Sequence, residues 1–215
     1  RMAATSPSTE EQDAPALEMI RANFRDVNAR HLMILTQNEA ALSILQDRMI
    51  VPRSGTVVIR GSDFPGDQTD LRILRDIATF RSAMADGRPV VLVQADHIFE
   101  SLYDVLNQHY VEVQGSQYAR IALGAHSRLC PVAPSFRVVV IVDQHDAYLR
   151  LAPPLLNRFE KQVLLRADLL RGNRQRELFS RLKEWHSKFV NPPQPDDGKG
   201  TRKWLSSDSF ASSIT

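Results

Sequence analysis

The sequence predicts an α/β fold, a mostly parallel sheet flanked by helices. Short apolar runs recur along the chain, at His31 to Leu35, Val90 to Val93 and Phe136 to Val142. Runs of that length without polar alternation belong to strands buried on both faces. Between them lie segments of helical period, the clearest being Ile73, Ile77, Phe80 and Met84 on one helix face. Glycine and proline separate the two kinds of segment, as at Gly87 and Pro89. Strands alternating with amphipathic helices give a parallel sheet covered on both sides.

Each element follows in order. His31 to Leu35 is the first strand. Asn38 is placed to cap a helix through Leu45, with Glu39 at its positive end. Thr56 to Ile59 is the second strand, closed by Gly61 and the loop Ser62 to Asp67. Thr69 or Asp70 caps the helix that carries Ile73 to Met84. Val90 to Val93 is the third strand. Asp96 is read as the cap of a helix turning Phe99, Leu102 and Leu106 inward. Tyr110 to Val113 and Ala119 to Leu123 flank Gln114 to Gln117 as a hairpin insertion. Phe136 to Val142 is expected to be the longest strand, and Val163 to Leu165 a last short one. Leu178, Leu182, Trp185 and Phe189 mark a final amphipathic helix, with Trp185 and Phe189 read as core residues.

The chain has 215 residues, 43% hydrophobic and 24% charged, with a net charge of +2. That is ordinary for a globular protein and gives no reason to expect nucleic-acid binding. A local excess runs from Arg158 to Lys188, where nine Lys or Arg meet four Asp or Glu. A solvated helical face is the plain reading of it. One cysteine, Cys130, excludes an internal disulfide and a cysteine-rich zinc site. No apolar run approaches a membrane span, and no signal pattern is present, so the expected setting is cytoplasmic. Residues 1–15 and 191–215 are rich in small, polar and proline residues and are expected to be disordered.

Ligands of such folds sit beyond the carboxyl ends of the strands. A nucleotide-hydrolysing module needs a glycine-rich loop with Lys and Ser or Thr after the first strand. Here the loop reads Thr36-Gln37-Asn38-Glu39, without glycine or lysine. It needs an acidic pair after the third strand. Here Val93 leads into Gln94 and Ala95. Asp143 stands where a γ-phosphate sensor is expected, and a carboxylate there is unfavourable beside phosphate. Asp143, His145 and Asp146 could form a metal site, but a surface turn explains them more simply. Ser127 and Cys130 lie near His126 without the elbow of a nucleophilic enzyme. The positive feature is Pro153-Pro154-Leu155-Leu156-Asn157-Arg158-Phe159 after the long strand. It resembles the segment with which ring-forming AAA+ modules present an arginine to a neighbour's nucleotide. Arg158 is the candidate trans-acting finger, with Arg150 and Lys161 as supports of the same interface. The alternative is a structural arginine paired with a carboxylate such as Glu160.

Four separated motifs together resemble the mysterin family: His31 to Thr36 with Asn38 to Leu42, Gly61 to Gln68, Glu100 to Gln108, and Pro154 to Lys161. These are giant RING-finger E3 ubiquitin ligases with a dynein-like series of AAA+ units. The resemblance implies a degenerate AAA+ large subdomain over residues 16–166 and the start of a helical lid over 167–190. It implies no catalytic residue, cofactor or metal in this segment. ATP and magnesium would belong to neighbouring units and zinc to a RING module elsewhere. Expected partners are neighbouring AAA+ units of the same chain and proteins of the ubiquitin pathway. Two alternatives stand beside this reading: an ATP-binding regulatory unit completed by another segment, and an interaction module whose basic stretch Arg166 to Lys188 meets an acidic partner.

Overall fold

The computed structural model describes residues 15–190, except 38, 39, 63, 124, 125, 171 and 172. Both ends read as disordered lie outside the described residues, save Pro15, which opens the first helix. Five strands form a wholly parallel sheet: β1 (Leu32–Thr36), β2 (Val57–Arg60), β3 (Val90–Val93), β7 (Val138–Asp143) and β8 (Glu160–Val163). Their order is β2-β3-β7-β1-β8. Between β3 and β7 the chain detours through a three-stranded antiparallel sheet of β4 (Val111–Val113), β5 (Ser116–Leu123) and β6 (His126–Val132). The helices are α1 (Pro15–Arg25), α2 (Ala41–Asp47), α3 (Asp70–Ala85), α4 (Tyr103–Leu106), α5 (Gln144–Arg150), α6 (Pro153–Leu156) and α7 (Asn173–Val190).

The strand pleat sorts side chains onto two cores, because successive residues face opposite sides. Met33, Leu35, Leu92, Val138 and Val140 meet Phe80 and Met84 of α3 and the inner face of the insertion at Ile121 and Cys130. Leu32, Ile34, Val91, Val93, Val139 and Ile141 meet Leu17 and Ile20 of α1 and Leu42 and Leu45 of α2. The parallel sheet is thus covered on both faces, as its apolar strands require.

Thr69 caps α3, its side chain accepting from the N–H of Arg72 at 3.3 Å, a contact of about 1 kcal/mol. Ile77, Phe80 and Met84 are buried along α3 as its period predicts. The hairpin turns at Gln114 and Gly115, both with positive φ, as a two-residue hairpin turn requires.

Several elements differ from expectation. Asn38 and Glu39 lie outside the described residues, and Ala40 holds the N-cap position of α2 without a side-chain cap. Asp96 does not hold the N-cap position; Ala95 does, without a side-chain cap, and Asp96 opens a single 3₁₀ turn ahead of the short α4. The last strand lies three residues earlier than expected, at Glu160–Val163. It is an edge strand beside β1 alone, so it does not need the apolar run sought in the sequence. β7 is the longest parallel strand, but β5 and β6 exceed it. Trp185 and Phe189 are not core residues, being 60% and 67% exposed. The face they share is turned away from the body, while His186 beside it is buried.

Candidate functional site

A cleft of about 390 Å³ opens beyond the carboxyl ends of β2, β3 and β7. Its floor is Ile73, Val142, Ala147 and Leu151. Arg60, Arg72, His97 and Arg150 enter from its walls, with Asp67, Asp96, Asp143 and Asp146. Gly61 forms one corner and bonds to β3, its N–H donating to the Val93 carbonyl at 2.8 Å.

Local contacts commit these charges to one another. Arg72 Nε lies 3.3 Å from Asp76, one helical turn on, and a second guanidinium nitrogen lies 3.8 Å from Asp67. His97 Nε2 is 3.0 Å from the same Asp76 oxygen. Arg150 is 3.8 Å from Asp146. Ser62 donates to Asp67 at 2.7 Å. The cleft is therefore polar, its three lining arginines outnumbered by four aspartates, with Arg72 and Arg150 already faced by carboxylates. A triphosphate needs an unbalanced positive field.

Asp143 is not in a surface turn. It ends β7 and caps α5, accepting from the N–H groups of His145 at 2.8 Å and Asp146 at 3.4 Å. Asp143 pairs in register with Thr36 of β1, so it sits beside the loop where a nucleotide-binding β1 would turn. Among the described residues no group of three His, Cys, Asp or Glu is arranged to hold a metal, and Asp143, His145 and Asp146 are not such a group. Cys130 is buried in β6, where desolvation pushes its thiol above the ordinary value; that suits packing and not nucleophilic attack.

Arg158 lies elsewhere. It follows α6 and precedes β8, at the amino end of the sheet. Roughly 13 Å of strand separates that end from the carboxyl ends. Its guanidinium lies over the Tyr103 ring, 3.9 Å from the centroid. Tyr103 is half exposed, so this cation–π contact holds the arginine at the surface for about 0.5–1 kcal/mol. Glu160 is not its partner: that carboxylate accepts from Asn23 at 2.6 Å. Lys161 turns back to the Leu156 carbonyl at 2.9 Å, closing α6. Arg150 lines the cleft and is not grouped with Arg158.

Sequence reasoning did not find Tyr103, which no spacing links to Arg158. The pairing of Arg72 and Asp76 was legible in principle from their i, i+4 spacing.

The sequence model of the RNF213 AAA domain matches residues 21–170, which span both faces of the parallel sheet. The chain belongs to the RNF213 AAA domain family. RNF213 is mysterin, so this is the family the four motifs resemble. The chain is 38% identical over 190 residues to the E3 ubiquitin-protein ligase rnf213-beta of Danio rerio, covering 85% of this chain and 4% of that protein. It is 37% identical over 177 residues to the E3 ubiquitin-protein ligase RNF213 of Homo sapiens, covering 82% and 3%. For the Mus musculus RNF213 the identity is 36% over 163 residues. The chain thus spans a few per cent of the length of these RNF213 relatives. No helix among the described residues is long and apolar enough to cross a membrane.

Proposed function

We propose that this chain is a structural AAA+ unit of a mysterin-like E3 ubiquitin-protein ligase, a unit that holds no nucleotide and passes movement between its neighbours. The observation that carries the reading is the use of Asp143. In a nucleotide-binding unit the side chain ending this strand faces the γ-phosphate. Here it is committed to capping α5, and Arg72 and Arg150 of the cleft beside it are faced by aspartates. The sequence supports the same view, since β3 runs into Gln94 and Ala95 and the loop after β1 lacks the glycines and lysine of a phosphate cradle.

ATP and magnesium then act in neighbouring units, and ubiquitin transfer with its zinc belongs to a RING module elsewhere in the longer polypeptide. Arg158 fits a trans role by its place. It stands at the end of the sheet remote from its own cleft, and the Tyr103 ring holds its charge at the surface. An arginine so placed stabilises charge on a phosphoryl group only if another unit brings one.

Two measurements test this. Titration of the chain with a fluorescent ATP analogue and Mg²⁺ is expected to show no saturable binding up to about 1 mM, the level of roughly −4 kcal/mol. Saturable, Mg²⁺-dependent binding would make this unit a nucleotide sensor and end the structural reading. In the full-length protein, Arg158→Ala is expected to lower ATP turnover at least tenfold while the unit's melting temperature moves by under about 2 °C. Unchanged turnover would leave Arg158 a structural residue.

A further inference from the structure

The backbone around Arg158 is fixed from both sides. Its N–H donates to the Leu155 carbonyl at 3.1 Å, and the Glu160 N–H donates to the His31 carbonyl at 2.9 Å. Phe159 between them is buried. Arg30 donates to the Asn157 carbonyl at 3.0 Å, and Lys161 to the Leu156 carbonyl at 2.9 Å. A long side chain on so rigid a backbone still has rotamers to lose. Among the described residues the Tyr103 ring, 3.9 Å from the guanidinium, is what that side chain meets.

The kind of partner matters. A carboxylate neutralises an arginine and takes up its N–H groups. A ring face carries no net charge and attracts the cation through its quadrupole, so it leaves the charge in place. It offers no lone pair either, so the guanidinium donors stay available to a phosphate oxygen. Glu160, the nearest carboxylate in sequence, accepts from Asn23 at 2.6 Å and Gln162 at 3.4 Å instead. Tyr103 itself stands on a firm turn. Leu102, Val105 and Leu106 around it are buried. The Leu102 N–H donates to the Ile98 carbonyl at 3.2 Å, and the Ala122 N–H of β5 donates to the Ser101 carbonyl at 3.0 Å. Tyr103 is 51% exposed, and an aromatic half in water adds little to a core. Packing therefore does not account for its place.

We propose that Tyr103 is a positioning residue for ATP hydrolysis on a neighbouring unit: its ring face selects the Arg158 rotamer presented to the phosphoryl group, and its hydroxyl plays no part. The inference rests on the reading of Arg158 as a trans-acting arginine. Such an arginine acts on charge in the transition state. Holding it in place therefore raises turnover more than it raises the binding of ATP. The size follows from the contact. A cation–π interaction at a half-exposed ring favours one rotamer about two- to fivefold, and turnover depends on it by that factor.

The test is steady-state ATP hydrolysis by the purified full-length protein carrying Tyr103→Leu, Tyr103→Phe, Arg158→Ala, or Arg158→Ala together with Tyr103→Leu. Tyr103→Leu is expected to lower kcat about two- to fivefold and to move KM by less than about twofold. Tyr103→Phe keeps the ring face and is expected to restore the wild-type kcat. In the Arg158→Ala background, Tyr103→Leu is expected to cost nothing more, since two residues that act through one contact are not additive. The inference is overturned if Tyr103→Phe loses as much as Tyr103→Leu, or if the loss appears in KM. It is overturned if Tyr103→Leu lowers kcat equally without Arg158. If Arg158→Ala lowers turnover while Tyr103→Leu does not, this inference fails and the trans reading stands. Unchanged turnover in Arg158→Ala removes the trans reading and this inference with it.

Discussion

His31, Tyr110 and Arg137 form a buried polar knot at the amino end of the sheet, opposite the cleft. Arg137 donates to the carbonyls of Ala29 at 2.8 Å, Asn23 at 3.0 Å and Arg30 at 3.1 Å, and to the Asn23 side chain at 3.1 Å. It thereby ties the turn after α1 to the start of β7. The N–H of Val138 donates to His31 Nδ1 at 3.4 Å, so that nitrogen is unprotonated. The ring proton is on Nε2, 3.3 Å from the Tyr110 hydroxyl. Burial, and then the positive charge of Arg137, lowers the His31 pKa to about 3, partly offset by a hydrogen bond to the Val105 backbone. Burial raises Tyr110 to about 12. The signs give a two-sided prediction. Below its ordinary value of 6.5 the unfolded histidine binds a proton that the folded one refuses, so His31 withdraws stability as pH falls from about 6.5 to 3. The limit is on the order of 4–5 kcal/mol. Above pH 10 the unfolded tyrosine releases a proton that the folded one keeps, so stability falls again toward pH 12. Urea unfolding of wild type and His31→Gln at pH 7, 5 and 4 checks the acid side. The variant is expected to lose less stability over that range, and parallel slopes would mean that the folded ring protonates normally.

At the scale of elements the decisive contact joins the end of β2 to the end of β3. A Cβ built on Gly61 would lie 1.7 Å from the Gln94 carbonyl oxygen. Gln94 itself sits at φ 49, a region that non-glycine residues enter at about 1–2 kcal/mol. The strand end is thus bent to meet a glycine that alone permits the approach. Gly61→Ala is expected to destabilise the chain by about 1–3 kcal/mol, read as a lower urea midpoint, whereas Gln94→Gly is expected to be neutral or better. Equal stability of Gly61→Ala and wild type would mean the two loops part without cost. These neighbours also show what a sequence reveals. β1, β3 and β7 were legible because strands buried on both faces must be apolar throughout. β8 was misplaced because an edge strand tolerates Glu160, Lys161 and Gln162. β6 was missed because only Cys130 and Val132 of it are buried, and Pro131, tolerable at a sheet edge, disguises it. α1 was missed although Leu17 and Ile20 follow helical spacing, since its exposed face reads like the polar leader before it. Of the candidate site, the strand ends were predictable and the charge pairing across the cleft was not, because Asp67, Asp76 and His97 meet only through the fold.

For the whole molecule, the parallel sheet with its two cores and helix α7 are energetically separate. Every residue of both cores lies between Leu17 and Leu164. What α7 buries is His186, with Phe179, Leu182 and Val190 half covered, while its larger aromatics stay in water. Apolar area removed from water supplies most of the folding free energy, at about 25 cal/mol per Å², so a helix that keeps Trp185 and Phe189 exposed adds little. Removing residues 171–215 is therefore expected to leave the melting temperature of the body within about 3 °C, since about 1 kcal/mol moves a domain of this size by 2–4 °C. The same truncation is expected to lower the binding of a dye that reports exposed apolar surface, because it removes the stripe of Leu178, Trp185 and Phe189. Calorimetry and dye titration of both forms check the two effects together. A fall of more than about 8 °C would mean that α7 is part of the folding unit. The described contacts would then understate its role, and its exposed aromatics would have to be covered within this chain itself.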